Sequence, residues 1–262
     1  MKTVTQLRNM KSQGEKITCL TAYDASFARL LEKAEIDVIL VGDSLGMVMQ
    51  GKATTLPVSI DEMEYHTAMV CRGAPNSFVI ADMPFMSDVS YEEALHQAGI
   101  LLKAGATCIK LEGAHAHTLE IIEGLTMRGV PVCAHIGLQP QSVNKLGGYK
   151  VQGKSKEQIK ELLYNAQALE SAGADMVVLE CVPAVVAAEI TSAINIPTIG
   201  IGAGVDCDGQ VLVIYDMLGI TQGKRPRFVK DFLADNASVE SAINAFCDDV
   251  RSGAFPTTEH SF

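Results

Sequence analysis

A chain of 262 residues, 48% of them hydrophobic, can bury one sizeable core and has the length of many one-domain α/β barrels. Its 31 acidic residues outnumber 21 basic ones, and the formal charge of −10 argues against nucleic acid and anionic membrane surfaces as partners, since long-range repulsion opposes both. The seven cysteines include no Cys-x-x-Cys pair, and Cys19, Cys108 and Cys133 sit inside apolar runs, so they read as small buried hydrophobes in a reducing compartment.

In chain order, residues 1–16 carry charges but no apolar stretch, so no signal peptide is expected. A short helix around residues 3–11 is placed to plug the lower mouth of a barrel. Eight short β-branched runs follow, at 17–20, 38–41, 78–81, 108–111, 132–135, 176–179, 198–201 and 211–215. Most are apolar on both faces, as strands of a helix-covered parallel sheet are. Between them, Ser59-Ile-Asp-Glu62, Ser90-Tyr-Glu-Glu93 and Ser155-Lys-Glu-Gln158 match the capping box that starts a helix. Ile159, Leu162, Leu163, Ala166 and Leu169 then form one apolar helical face, Pro183 fits a first helical turn, and Val239, Ile243, Phe246 and Val250 mark the last helix. The longest apolar region, 176–190, contains Glu180, Pro183 and Glu189 and is too short to span a bilayer, so the expected location is cytoplasmic.

An internal echo supports a repeat architecture. Ala34-Glu-Ile-Asp-Val-Ile-Leu-Val-Gly-Asp43, Ala104-Gly-Ala-Thr-Cys-Ile-Lys-Leu-Glu-Gly113 and Ala172-Gly-Ala-Asp-Met-Val-Val-Leu-Glu-Cys181 align in register: a tight turn, a strand, then an acid. Alternating strands and helices give right-handed crossovers and a parallel sheet, and eight units close it. The expectation is one (β/α)8 TIM-barrel domain over 1–262, with a short N-terminal helix and an irregular seventh unit whose helix is a single turn or absent; an open doubly wound sheet is the alternative.

Barrel enzymes place their chemistry where strands end. Asp43, Asp82, Glu112 and Glu180 each follow a predicted strand. Any one of them alone reads as a helix cap or loop carboxylate, but four at one depth repel unless a cation or shared proton neutralises them. Oxygen-only ligands favour magnesium or manganese over zinc. Lys110 shares a strand face with Glu112 and is expected inside the barrel, either as the structural partner of Glu112 or as a cation awaiting a substrate carboxylate. His135 ends the fifth strand as a base, a substrate donor or a satisfied core histidine. His115 and His117 have metal-like spacing but begin a helix and read as surface residues. Gly200-Ile-Gly-Ala-Gly204 is an anion-binding turn or simply a tight one, and Asp216 ends a strand without an assignable role. Residues 137–153 hold four glycines and no periodicity, which fits a lid over the mouth.

The segments Val41-Gly-Asp-Ser-Leu-Gly46, Ala81-Asp-Met-Pro-Phe85, Ile109-Lys-Leu-Glu-Gly113, Ala134-His-Ile-Gly-Leu-Gln-Pro-Gln141 and Val143-Asn-Lys-Leu-Gly-Gly-Tyr-Lys-Val-Gln-Gly153, with the 200–204 turn, resemble the ketopantoate hydroxymethyltransferase family, collinearly over essentially the whole chain. The resemblance implies a barrel, dependent on one magnesium ion per subunit, that moves a hydroxymethyl group from 5,10-methylenetetrahydrofolate to 3-methyl-2-oxobutanoate. The product is 2-dehydropantoate, for pantothenate and coenzyme A biosynthesis, formed through a magnesium-stabilised enolate. By the same resemblance Asp43, Asp82 and Glu112 are metal sites, Asp43, Ser44, Asp82 and Lys110 contact the oxo acid, Glu180 is the proton acceptor, and the assembly is a decamer of stacked rings. The sequence varies near Ile214-Tyr215 and in its last residues, away from these positions. Two rivals stand beside this reading: a magnesium-dependent 2-oxo-acid aldolase or lyase on the same barrel, and a non-catalytic binding module.

Overall fold

Short β-branched runs and capped amphipathic segments alternate along the whole chain, and the computed structural model, which describes residues 1–221, 223 and 225–262, turns that alternation into a closed barrel. The first half runs α1 (Val4–Gln13), β1 (Ile17–Thr21), α2 (Ala25–Lys33), β2 (Val38–Val41), α3 (Leu45–Val48), α4 (Ile60–Gly73), β3 (Phe78–Asp82), α5 (Tyr91–Lys103) and β4 (Cys108–Glu112). The second runs α6 (Ala116–Thr126), β5 (Val132–Gly137), α7 (Val143–Leu146), α8 (Lys156–Ser171), β6 (Met176–Glu180), α9 (Ala184–Ala193), β7 (Thr198–Ile201), β8 (Gly209–Leu212), α10 (Ile214–Met217) and α11 (Val239–Ser252). Every strand pairs in parallel with its sequence neighbours, and β8 returns to β1 through Ile17–Gly209 to Leu20–Leu212. The open-sheet alternative is excluded by that closure.

Alternate strand residues face opposite sides, so the barrel has two apolar layers. One lies between sheet and helices; the other fills the interior with Cys19, Leu40, Phe78, Ile80, Met176 and Ile199 among others. Helix α1 closes the lower end as expected: Thr3 and Gln6 form its capping box, and Leu7 and Met10 join the interior cluster.

The residue before each even-numbered strand follows a common rule. Asp37 accepts from the Thr18 N–H at 2.9 Å, Asp175 from the Val132 N–H at 3.1 Å, and Asp208 from the Thr198 N–H at 2.8 Å. Thr107 takes the same place for Val79, at 3.5 Å. Each thus satisfies a backbone N–H at the first or second residue of its odd-numbered neighbour. The α1 segment then supplies the cations: Lys2 to Asp37 at 2.8 Å, Arg8 to Asp175 at 2.8 Å and Lys11 to Asp208 at 2.7 Å.

Two expectations need correction. The eighth strand is Gly209–Leu212, not 211–215; the chain leaves the sheet at Val213, where the Ile214 N–H donates to Thr21 Oγ1 at 3.0 Å and opens α10. Asp216 therefore lies in a helical turn and ends no strand. The box at Ser90 is half-made: Ser90 accepts from the Glu93 N–H, but the Glu93 carboxylate is engaged by Gln97 instead. The other two boxes are complete. Pro183 is the cap residue just before α9. No helix separates β7 from β8, the seven cysteines are unpaired, and six of them are buried. Among the described residues no helix is long and apolar enough to cross a membrane.

Candidate active site

The acids expected at the strand ends do converge. Asp82 closes β3, Lys110 and Glu112 lie on β4, His135 on β5 and Glu180 closes β6, while Asp43 and Ser44 follow β2. All seven line one cavity of about 630 Å³ at the C-terminal mouth, together with Tyr149, Phe228 and Phe262. Glycine is required at 137, where φ is +92° and an added Cβ would stand 2.3 Å from the Glu180 carbonyl. That close approach lets β5 and β6 present His135 and Glu180 side by side.

Lys110 pairs across the sheet rather than along its strand. Its Nζ lies 2.9 Å from Asp82 Oδ1, and Asp82 and Lys110 are register partners; the structural pairing with Glu112 is thereby corrected. The contact is an ion pair without hydrogen-bond alignment, so Asp82 Oδ1 keeps acceptor capacity. Asp82 Oδ2 accepts from the Asp43 N–H at 3.1 Å. His135 stands between two acids, with Nδ1 3.6 Å from Glu112 Oε1 and Nε2 3.2 Å from Glu180 Oε2, and neither nitrogen makes an aligned hydrogen bond. Ser44 Oγ lies 2.9 Å from the hydroxyl of buried Tyr23.

The electrostatics follow from three carboxylates, Asp82, Glu112 and Asp43, around one buried ammonium, with Glu180 beside His135. Among the described residues Lys110 is the only buried lysine or arginine. Burial, then the charges of Asp82 and Glu112, push the Asp43 carboxyl up to about 7. Burial alone would lower the Lys110 ammonium, but Asp82, Glu112 and Asp43 reverse this and hold it above its ordinary value. Burial and Lys110 likewise oppose a charged His135, yet Glu112 and Glu180 raise it to about 9. An imidazole in that range is protonated at neutral pH, which suits a cation between Glu112 and Glu180 better than a base.

Asp43, Asp82 and Glu112 offer oxygen donors only, with more negative charge than Lys110 balances, and this chemistry fits a hard divalent cation. Among the described residues no three His, Cys, Asp or Glu side chains stand close enough to enclose an ion in their present rotamers. Gln141 donates to Asp43 Oδ2 through its side-chain amide at 2.9 Å and to Glu112 Oε2 through its backbone N–H at 3.0 Å.

The weaker candidates fall outside this cluster. His115 and His117 are exposed at the start of α6. In the 200–204 turn, φ is +64° at Gly202, where a Cβ would sit 3.0 Å from the Phe262 ring, and +88° at Gly204, where it would meet Ala184 at 2.6 Å; close packing accounts for these glycines. Asp216 reaches the cavity wall from α10, and burial raises its carboxyl. The stretch 137–153 contains a 3-10 turn, Pro140–Ser142, and α7, and its Tyr149 overhangs the cavity. Gln141, Tyr149, Phe228, Phe262 and Tyr23 are site residues that sequence reasoning did not single out. Gln141 and Tyr149 did lie inside the segments that carried the resemblance.

Comparison with known proteins matches residues 1–258 to the family model described as ketopantoate hydroxymethyltransferase. The chain belongs to that family. Its relatives include the 3-methyl-2-oxobutanoate hydroxymethyltransferases of Idiomarina loihiensis, 56% identical over 99% of this chain and 97% of the relative, and of Nitrosospira multiformis, 56% identical over 97% of each. Solved structures share the fold at low identity. A phosphonopyruvate hydrolase in complex with oxalate and Mg2+ aligns with a TM-score of 0.60 at 15% identity, covering 99% of this chain and 93% of that one. A 2,3-dimethylmalate lyase of the PEP mutase/isocitrate lyase superfamily aligns with a TM-score of 0.59 at 16% identity, covering 82% of each. Family membership makes the chain a hydroxymethyltransferase enzyme and sets aside the non-catalytic barrel.

Proposed function

We propose that this chain transfers a hydroxymethyl group from 5,10-methylenetetrahydrofolate to 3-methyl-2-oxobutanoate, giving 2-dehydropantoate, in a magnesium-dependent reaction. The observation that carries the reading is the one cavity lined by Asp43, Asp82, Glu112, Glu180 and Lys110, with Lys110 paired to Asp82. A magnesium ion held by Asp43, Asp82 and Glu112 would draw charge from the keto oxygen of a 2-oxo acid and ease loss of the neighbouring proton. Lys110 balances the substrate carboxylate, and Ser44, braced by Tyr23, orients it with a hydroxyl. Glu180 takes the methine proton, with the His135 imidazole 3.2 Å from its carboxylate. The deprotonated carbon then bonds to the one-carbon unit, both bonds from that carbon to the folate nitrogens break, water supplies the hydroxyl oxygen, and tetrahydrofolate leaves with the methine proton and one proton of the water on its two nitrogens. The outer cavity, walled by Tyr149, Phe228 and Phe262, is apolar and aromatic enough to take the folate ring system. By the same resemblance we propose a cytoplasmic decamer, which light scattering checks by mass.

The test is product analysis after incubation with 3-methyl-2-oxobutanoate, methylenetetrahydrofolate and magnesium, with each omitted in turn. Formation of 2-dehydropantoate only in the complete mixture is expected. Cleavage or condensation of an oxo acid that proceeds without folate would return the aldolase or lyase reading.

A further inference from the structure

Asp216 is the acid of this cavity that the proposed chemistry leaves unused. Asp43, Asp82, Glu112 and Glu180 all come from, or directly after, the sector β2 to β6. Asp216 comes from beyond β8, which lies across the closed barrel from β4. The chain leaves the sheet at Val213, the Ile214 N–H donates to Thr21 Oγ1 at 3.0 Å, and α10 then carries Asp216 to the cavity wall. Two aromatic rings adjoin this sector. Phe228 and Phe262 meet over Gly202, just past β7, where an added Cβ would stand 3.1 and 3.0 Å from them.

Burial raises the Asp216 carboxyl, and among the described residues the Thr221 hydroxyl and the Arg225 charge work against this without reversing it. Arg225 is itself held by Asp231 at 3.0 Å. A carboxylate has about four acceptor positions, so Asp216 keeps room for a ligand that brings donors. An apolar and aromatic wall with one such polar group is how a pocket fixes an organic ring in a single orientation. The folate co-substrate has the matching edge. Its pterin presents N3–H and the 2-amino group side by side, two parallel donors that suit the two oxygens of one carboxylate. Two-point pairing of this kind sets geometry as well as affinity. The edge lies at the other end of the bicycle from C6, beside which N5 and N10 share the one-carbon unit. A pterin anchored on the β8 side therefore directs that carbon across the mouth, toward the oxo acid and Glu180.

We propose that Asp216 anchors the pterin, pairing its carboxylate with the N3–H and 2-amino group of the reduced folate. The inference rests on the folate reading above, and the experiment separates the two. Hydroxymethyl transfer is measured against methylenetetrahydrofolate concentration in the parent and in Asp216→Asn, which keeps one oxygen but turns an NH2 toward the ligand's own donors. Calorimetry compares parent binding of tetrahydrofolate and of its 2-desamino-2-methyl analogue, which lacks one donor. In the folded variant the KM for the folate should rise roughly 10–100-fold, as for a lost hydrogen bond to a charged group, with a much smaller change in kcat. Deuterium exchange at the methine carbon of the oxo acid, run without folate, should persist. The parent should bind the analogue more weakly by a similar factor. An unchanged KM in the folded variant, or equal binding of the two ligands by the parent, overturns the anchor and leaves the folate reading intact. Loss of folate-free exchange together with transfer also overturns it, by placing Asp216 with the oxo acid. A parent chain that transfers nothing from methylenetetrahydrofolate overturns the folate reading and the anchor with it. The ligand comparison needs no substitution, so it decides the case if Asp216→Asn does not fold.

Discussion

At the N-terminal end of the barrel, Asp37, Asp175 and Asp208 each hold a strand N–H and each face their own cation from the α1 segment, at 2.7–2.8 Å. At the C-terminal end, Asp43, Asp82, Glu112 and Glu180 share one buried lysine and a histidine caught between two of them. The acids are of the same type and nearly the same number. What differs is the balance: donors and cations are matched one to one below and outnumbered above. A matched acid satisfies backbone and adds stability, whereas unmatched acids store a negative field that only a substrate, a proton or a metal can relieve. Substitutions at the two ends should therefore fail in different ways.

The largest effect is expected at Glu180. Glu180→Gln keeps shape and removes basicity, so magnesium and oxo acid should still bind and the melting midpoint should hold. Deuterium exchange at the methine carbon of 3-methyl-2-oxobutanoate, run without folate, should fall by about 10²–10⁴-fold. Exchange that persists while hydroxymethyl transfer is lost would move Glu180 to the later hydroxyl proton. Parent rates in both reactions would remove it from the chemistry.

Lys110 comes next, because among the described residues it is the only buried lysine or arginine, and it lies against these acids. Lys110→Met strands Asp82 as a buried charge and should cost about 3–5 kcal/mol of stability, together with weaker oxo-acid binding. Adding Asp82→Asn removes the stranded charge and should recover part of the stability. A Lys110→Met chain as stable as the parent would mean that the mouth is not short of positive charge, and the contrast between the two ends would collapse.

On the floor the pattern should invert. Asp208→Ala leaves the Thr198 N–H without its partner and Lys11 with only the Thr191 carbonyl, at a cost of about 1–3 kcal/mol seen in thermal or denaturant unfolding. The turnover number of the folded fraction should match the parent. A selective loss of turnover would show that the floor reaches the chemistry.

That split was half legible in the sequence. Eight apolar runs announced the barrel, because strands covered on both faces need no polar alternation. The last run misled: Val211 through Tyr215 is continuously β-prone, but Gly209 and Gln210, poor strand formers, are the residues that meet β1 and β7, and Thr21 captures the chain at Ile214. Strand-end acids were readable one by one from position. The partner of Lys110 was not, because two residues along a strand span about 6.6 Å while neighbouring strands lie about 4.8 Å apart, so the cross-strand acid wins over the one on the same strand. Gln141 was hidden in an aperiodic stretch, and its own hydrogen bonds all go to residues distant in sequence. The floor pattern was on view unread: Asp37, Thr107 and Asp175 occupy one column of the internal echo, and only their hydrogen bonds reveal why.

The smallest effect sharpens the comparison within the floor itself. Arg8 and Lys11 both lie on α1 and both reach an aspartate, but the Arg8 side chain is 46% exposed and that of Lys11 is 14% exposed. Water screens an exposed pair, and holding a long side chain in one rotamer opposes what attraction remains. Asp175 also keeps its bond to the Val132 N–H whether or not Arg8 is present, so no buried donor is orphaned by the change. Arg8→Ala should cost only about 0.2–1 kcal/mol, lessened further by salt, with kcat and KM untouched. Urea unfolding of Arg8→Ala at low and high ionic strength measures this directly. A loss as large as that of Asp208→Ala, insensitive to salt, would show that the cation rather than the strand N–H gives the floor acids their value.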